Sequence, residues 1–303
     1  MRRPFYGASL EPMATRHGLL LSMAFLCACA TAPAPKEVPQ TPEVPVEPIA
    51  TPEVEPGSLQ TATRQEIWAY HAYWMGDAWR SYDLRAFERL LFMDLPIGKN
   101  GRVQDTRGWP DQWATLRARA RLANVQLDPA FTILTPDVFS AVFSNAAARR
   151  RLVAEVVFLA RFSRGVHLDF EVYENVPAAA TEGFRTFLAE LRRALDTKPR
   201  KVLTAFVPAG TTIYGEAELA LLDAIVAQGY DVHWKLSPNT GPVAVLDGES
   251  QATWRTAAAL LGERKVPPNK ILFSTPFYGY EWPTVSEEPR TSTPRVPAKR
   301  RRR

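Results

Sequence analysis

Cysteine is nearly absent: the 303 residues contain two, Cys27 and Cys29, spaced C-x-C near the start. That excludes a fold built on disulfides and a four-thiolate zinc site. Histidine is scarce as well, four scattered residues with no H-x-x-H or H-E-x-x-H pair. No metal site and no cofactor are therefore expected. No glycine-rich phosphate loop follows a strand-like run, which removes the usual nucleotide cradle. Acid is missing from residues 290–303, which carry Arg290, Arg295, Lys299 and Arg300 to Arg303. That end and the +2 of residues 1–29 outweigh the whole net charge of +5, so residues 30–289 carry −4. A slightly acidic body argues against nucleic acid as the partner.

What is present is a core. Hydrophobic residues make up 46% of the chain and aromatics 11%, enough to exclude wholesale disorder. The length suits one large domain or two small ones, with flanks.

The first 58 residues read as address and tether. Residues 18–28 (GLLLSMAFLCA) are apolar and follow Arg16 and His17. Eleven residues are too few for a spanning helix, which needs roughly 20, but suit the hydrophobic stretch of a secretory signal. The run ends Leu26-Cys27-Ala28-Cys29, which resembles a bacterial lipobox. That resemblance implies that residues 1–29 are a lipoprotein signal and that Cys29 is lipidated. The protein is then exported and anchored by lipid in the cell envelope, with the membrane as one partner. An ordinary cleaved signal with two incidental cysteines is the alternative. Residues 30–58 hold eight Pro and five Glu against one Lys. Proline lacks the N–H and fixes φ, so this stretch propagates neither helix nor strand. It is expected to be an extended, disordered spacer rising about 3.1 Å per residue.

The remainder alternates strand-like and helix-like segments. Short apolar runs mark strands at 67–74, 90–96, 125–134, 165–171, 202–208, 231–237 and 271–278. In 178–197, Phe184, Phe187, Leu188, Leu191 and Leu195 fall on one helical stripe. Further helices are expected at 216–228, closed by Gly229, and at 252–261, closed by Gly262. Near-continuous apolar strands between helices indicate an α/β fold with a parallel, covered sheet. Seven strands at this spacing fit a TIM-type (β/α) barrel spanning 59–285. The eighth strand is missing: the 21 residues after Trp282 cannot supply a strand and a helix. The barrel is open, or a truncation or frameshift cuts it short. Residues 286–303 are expected to be a basic, disordered tail.

Segment 165–171 carries the chemistry. Side chains alternate on a strand, so Val166, Leu168 and Phe170 share one face and His167, Asp169 and Glu171 the other. Three titratable groups on one face of a buried strand are costly unless they form a site. Glu171 falls at the C-terminal end of its strand, where TIM-barrel sites form.

Here the chain resembles the family-18 glycoside hydrolases, the chitinase-like enzymes, whose fourth strand carries D-G-x-D-x-D-x-E. This chain has Arg164-Gly165-Val166-His167-Leu168-Asp169-Phe170-Glu171, so the glycine, the last aspartate and the glutamate match. The preceding helix, 139–162 with Asn145 and Arg151, is similar to that family's lead-in. Pro276-Phe277-Tyr278-Gly279-Tyr280-Glu281-Trp282 resembles its P-x-Y-G-x-x-W. The similarity covers about residues 66–282.

The resemblance implies substrate-assisted, retaining hydrolysis of β-linked N-acetylglucosamine glycans, of chitin or peptidoglycan type. Glu171 would be the acid that protonates the leaving oxygen. Asp169 would orient the substrate's 2-acetamido group, whose carbonyl attacks the anomeric carbon. His167 stands where the family has its middle Asp; it would donate to Asp169 or hold it fixed. Tyr70, Trp74, Tyr173, Tyr278 and Trp282 are candidate platforms for sugar rings, with core packing as the alternative for each. The Tyr that the family brings from the end of its sixth strand, in M-x-Y-D, is expected to be lost, because Lys235-Leu236-Ser237-Pro238 falls there. Two functions follow: a glycosidase, or a non-catalytic glycan-binding lipoprotein on the same scaffold.

Overall fold

The computed structural model describes residues 66–287 and the backbone of Lys299–Arg302. The signal, Cys29 and the spacer expected over 1–58 lie outside the described residues. Seven strands form one sheet: β1 (Trp68–Ala72), β2 (Arg89–Pro96), β3 (Gln126–Ile133), β4 (Gly165–Phe170), β5 (Val202–Val207), β6 (Ala224–Ala227) and β7 (Ile271–Phe273). All are parallel and neighbours in chain order. The helices are α1 (Ala114–Leu122), α2 (Pro136–Phe143), α3 (Ala146–Leu159), α4 (Ala178–Leu195), α5 (Glu216–Ala220) and α6 (Trp254–Glu263). This is a TIM-type barrel left incomplete: among the described residues no strand closes β7 onto β1.

The alternation along β4 sorts its side chains as the sequence requires. Val166, Leu168 and Phe170 are buried in the core between sheet and helices. The Phe170 ring lies 5.9 Å from Phe184 of α4 and 6.0 Å from Phe143 of α2. The apolar stripe of α4, from Phe184 to Leu195, is fully buried against this layer. Gly183 allows the close approach, since a Cβ there would collide with the Phe143 carbonyl. At the other end of the strands, Asp128 ties three of them together. It pairs with Arg89 of β2 and accepts the backbone N–H groups of Arg164 (3.2 Å) and Gly165 (2.7 Å).

Several elements differ from expectation. The lead-in helix over 139–162 is two helices and a short 3-10 turn (Ala160–Phe162). Asn145 breaks it, because its side chain accepts from Ala147 and Ala148 and caps α3. The helix expected over 216–228 stops at Ala220, and Ala224–Ala227 is strand β6, paired with β5 and β7. A four-residue apolar run is too short for periodicity to separate helix from strand, so pairing decides it. Residues 231–237 are accordingly a loop, entered through Asp231 at φ +62°. Gly262 lies inside α6 rather than beyond it. The run over 271–278 divides into β7 and β8 (Tyr278–Glu281), and β8 pairs antiparallel with β9 (Lys299–Arg302). Four residues of the stretch read as a disordered tail are thus paired, since they meet an open strand edge.

Candidate active site

The β4 ladder runs one residue past Phe170, because the Glu171 N–H donates to the Ile133 carbonyl at 2.8 Å. That puts Glu171 on the same face as Asp169 and His167, at the C-terminal rim of the sheet. Asp169 is 5% exposed. Burial holds its carboxyl well above the usual carboxylate range, and the charges of Glu171 and Asp94 add to the effect. A second negative charge beside Glu171 is therefore disfavoured, which keeps a proton on Asp169 more readily than on an ordinary carboxylate.

Tyrosines surround the pair. Tyr173, on the loop after β4, donates its hydroxyl to Glu171 Oε2 at 3.0 Å. Tyr70 of β1 is held in its neutral form by burial first, then by Asp169 and Glu171. Tyr230 is held neutral by burial, and Tyr70, Glu171 and Asp169 act on it as well. Gln228 links the loops: its Oε1 accepts from the Ala209 N–H at 2.8 Å and its Nε2 donates to the Tyr230 carbonyl at 3.1 Å.

His167 plays neither part expected of it toward Asp169. Its Nδ1 meets Thr204 Oγ1 at 2.8 Å and its Nε2 meets the Tyr70 hydroxyl at 2.9 Å. Thr204 spends its proton on the Val166 carbonyl, so Nδ1–H donates to Thr204 and Nε2 accepts from Tyr70. Both ring nitrogens are taken. Burial, then the Arg89 charge, pushes the imidazole pKa down to about 3. It is a neutral group that positions Tyr70.

The position of β6 supplies the tyrosine expected to be lost. With the strand at Ala224–Ala227, the residues that follow are Gln228-Gly229-Tyr230-Asp231. The Tyr-Asp pair that the family resemblance calls for is therefore present, and its tyrosine lies among the carboxylates' electrostatic neighbours. Asp231 accepts the hydroxyls of Tyr278 and Tyr280, both at 3.0 Å. Gly229 lets the turn pass beneath Trp254, whose indole N–H donates to the Gly229 carbonyl at 3.1 Å.

Of the expected sugar platforms, Tyr70 and Tyr173 gather at the carboxylates. Tyr278 joins through Asp231 and packs 6.1 Å from the Tyr230 ring. Trp282 sits farther along β8's end, donating to the Trp234 carbonyl at 3.0 Å and packing 5.5 Å from Tyr280. Trp74 is 43% exposed and meets Tyr73 edge-on. Asp94, Thr204, Gln228, Tyr230 and Asp231 were not among the expected site residues. The Tyr-Asp dipeptide was the one sequence signal that could have found any of them.

A model of glycosyl hydrolases family 18 matches residues 133–301. The chain is similar to the uncharacterized glycosylase YvbX of Bacillus subtilis, 26% identical over 158 residues, 48% of this chain and 43% of YvbX. It spans less than half the length of the curated relatives it matches. Among solved structures it resembles a family GH18 chitinase from Cycas revoluta in complex with allosamidin. The TM-score is 0.64 at 22% identity, over 77% of this chain and 75% of that one. It equally resembles a chitinase-like agglutinin from Robinia pseudoacacia, with TM-score 0.64 at 21% identity, over 77% and 76%.

Proposed function

Because the chain belongs to the glycosyl hydrolases of family 18, we propose that it hydrolyses β-linked N-acetylglucosamine glycans, of chitin or peptidoglycan type, with retention of configuration. The observation that carries this reading is one strand face presenting Asp169 and Glu171 together, ringed by Tyr70, Tyr173 and Tyr230. Protonated Glu171 gives its proton to the glycosidic oxygen as the C1–O bond breaks. The acetamido carbonyl oxygen of the same sugar bonds to C1 from the other face, giving a cyclic oxazolinium. Asp169 accepts from the acetamido N–H and balances the charge that develops there; Tyr230 donates to the acetamido oxygen. Glu171, now a carboxylate, takes a proton from water as the water oxygen attacks C1 and reopens the ring. The buried, mostly neutral surroundings strengthen each of these interactions relative to water.

The exported, lipid-anchored placement read from residues 1–58 belongs to the same proposal. It sets the glycans of the cell envelope within reach. Turnover of chitin oligosaccharides and of peptidoglycan tests it, with Glu171→Gln as control. The expected loss is on the order of 10²–10⁴-fold, the contribution of a positioned acid. Equal turnover by both forms sinks the catalytic reading. Glycan binding without turnover by the unmodified protein supports the alternative, a non-catalytic glycan-binding lipoprotein. What favours that alternative is the neutral His167 in place of a family aspartate.

A further inference from the structure

The strand-start end of the barrel carries a feature that the chemistry at the opposite rim does not use. A cavity of about 160 Å³ opens there between the end of α1 and the starts of β3 and β4, with Arg117, Arg121, Arg164 and Phe162 in its wall. Arg161 stands beside it, its guanidinium 4.3 Å from the centre of the Phe162 ring, while Arg117 lies 4.5 Å from the same ring. Among the described residues none of these four arginines forms an ion pair with a carboxylate. Asp128, the buried acid nearby, is spent on Arg89 and on two backbone N–H groups. The enclosed Nε of Arg117 has no hydrogen-bond partner. Among the described residues the Arg117 and Arg161 side chains donate only to the Pro110 and Phe158 carbonyls, at 3.5 and 2.7 Å, and Asp111 reaches Arg117 only through its field. Cations without a paired carboxylate around a polar hollow call for an anion.

The rim of the hollow narrows the choice of anion. Leu122 at the end of α1 is 89% exposed, Phe158 is 58% exposed and Phe162 is 43% exposed. Arginines interleaved with exposed apolar side chains match a membrane interface, where phosphates and acyl chains meet. A nucleic acid would need free aromatic faces for its bases, but the Phe162 ring already carries two guanidinium groups. The geometry of the chain agrees. Trp68, where the chain enters β1, is in register with Arg89, and Arg89 with Gln126, which lines the cavity. Glu171 lies seven residues along β4 from Arg164, about 23 Å at 3.3 Å per residue.

We propose that this strand-start face docks on an anionic phospholipid surface. A headgroup phosphate sits among Arg117, Arg121 and Arg164, and Leu122 reaches the acyl boundary. Phe158 and Phe162, their faces held by Arg161 and Arg117, lie with those guanidinium groups at the headgroup level. The catalytic rim then faces away from the bilayer, toward the glycan.

The test partitions the full chain onto phosphatidylglycerol and phosphatidylcholine vesicles and follows amide exchange on each. Expected is protection of residues 117–124 and 158–164 on phosphatidylglycerol alone. Each cation removed should weaken that binding about fivefold, so the Arg121→Glu, Arg164→Glu double variant should lose more than tenfold. Both side chains are exposed, so its melting temperature and its activity on soluble glycan should not change. Arg121→Gln with Arg164→Gln should show a smaller loss of the same sign. The leader and the basic end are common to every form and cancel in the comparison. Undiminished binding by the charge-reversed chain overturns the proposal, as does protection of this face on both vesicle types. Protection by inorganic phosphate without vesicle binding also overturns it, and marks a small-anion pocket instead.

Discussion

Asp169 is buried, close to two other carboxylates, and useful only because of that setting. Its folded pKa is raised by burial, then by Glu171 and Asp94. Between the unfolded value near 3.9 and the raised folded value, the native state binds more protons than the unfolded one. Stability therefore falls as pH rises across that window. Asp169→Asn should melt above the unmodified protein at pH 7, and the difference should close below about pH 3.9; thermal denaturation across pH checks it. His167 runs the other way. Its folded pKa of about 3 lies below the ordinary 6.5, so its contribution is complete above pH 6.5 and lost between there and pH 3. His167→Gln should flatten that part of the stability–pH curve. Asp169, Glu171 and the neutral face behind them were legible in the sequence, because strand alternation is a local rule. Asp94 and Thr204 were not, because they reach the site only through the pairing of β2 and β5 beside β3 and β4.

The element that carries most of the difference between sequence and structure is β6. Ala224–Ala227 is four apolar residues following a helix, and local pattern extends the helix through it. Only its pairing with β5 and β7 makes it a strand, and that pairing shifts the reading of the next seven residues. Gly229 then becomes a contact point instead of a helix end. A Cβ there would meet the Trp254 indole and approach the Ser274 carbonyl. Gly229→Ala should cost about 1–3 kcal/mol, the usual range for overpacking, and speed amide exchange across 228–231. By contrast α4 is legible in the sequence, since eighteen residues give the helical stripe room to repeat. Its anchor is Phe184, buried among Phe139, Phe143, Phe170 and Tyr214. Phe184→Ala should cost about 3–5 kcal/mol, measured by denaturant unfolding.

Across the whole molecule the two ends of the barrel divide the work. The strand-start end holds the buried Arg89–Asp128 pair that ties β2, β3 and β4, and the opposite rim holds the carboxylates. Asp128→Ala leaves Arg89 buried and unpaired and should cost about 3–5 kcal/mol. Activity per folded molecule should survive, because the change sits far from Glu171. The (β/α) plan was visible in the repeat of short apolar runs, whereas the β8–β9 ladder was not, because antiparallel pairing with an arginine-rich segment leaves no apolar signature. The claim on which the functional account stands is that the substrate's own acetamido group attacks C1 while Glu171 supplies the proton. The anomeric form of the first product decides it, read by proton NMR in the first minutes of chitin-oligosaccharide hydrolysis. The β-anomer should appear first and then mutarotate, and Glu171→Gln should release none. An initial α-anomer, or β-product at an undiminished rate from Glu171→Gln, would contradict the account.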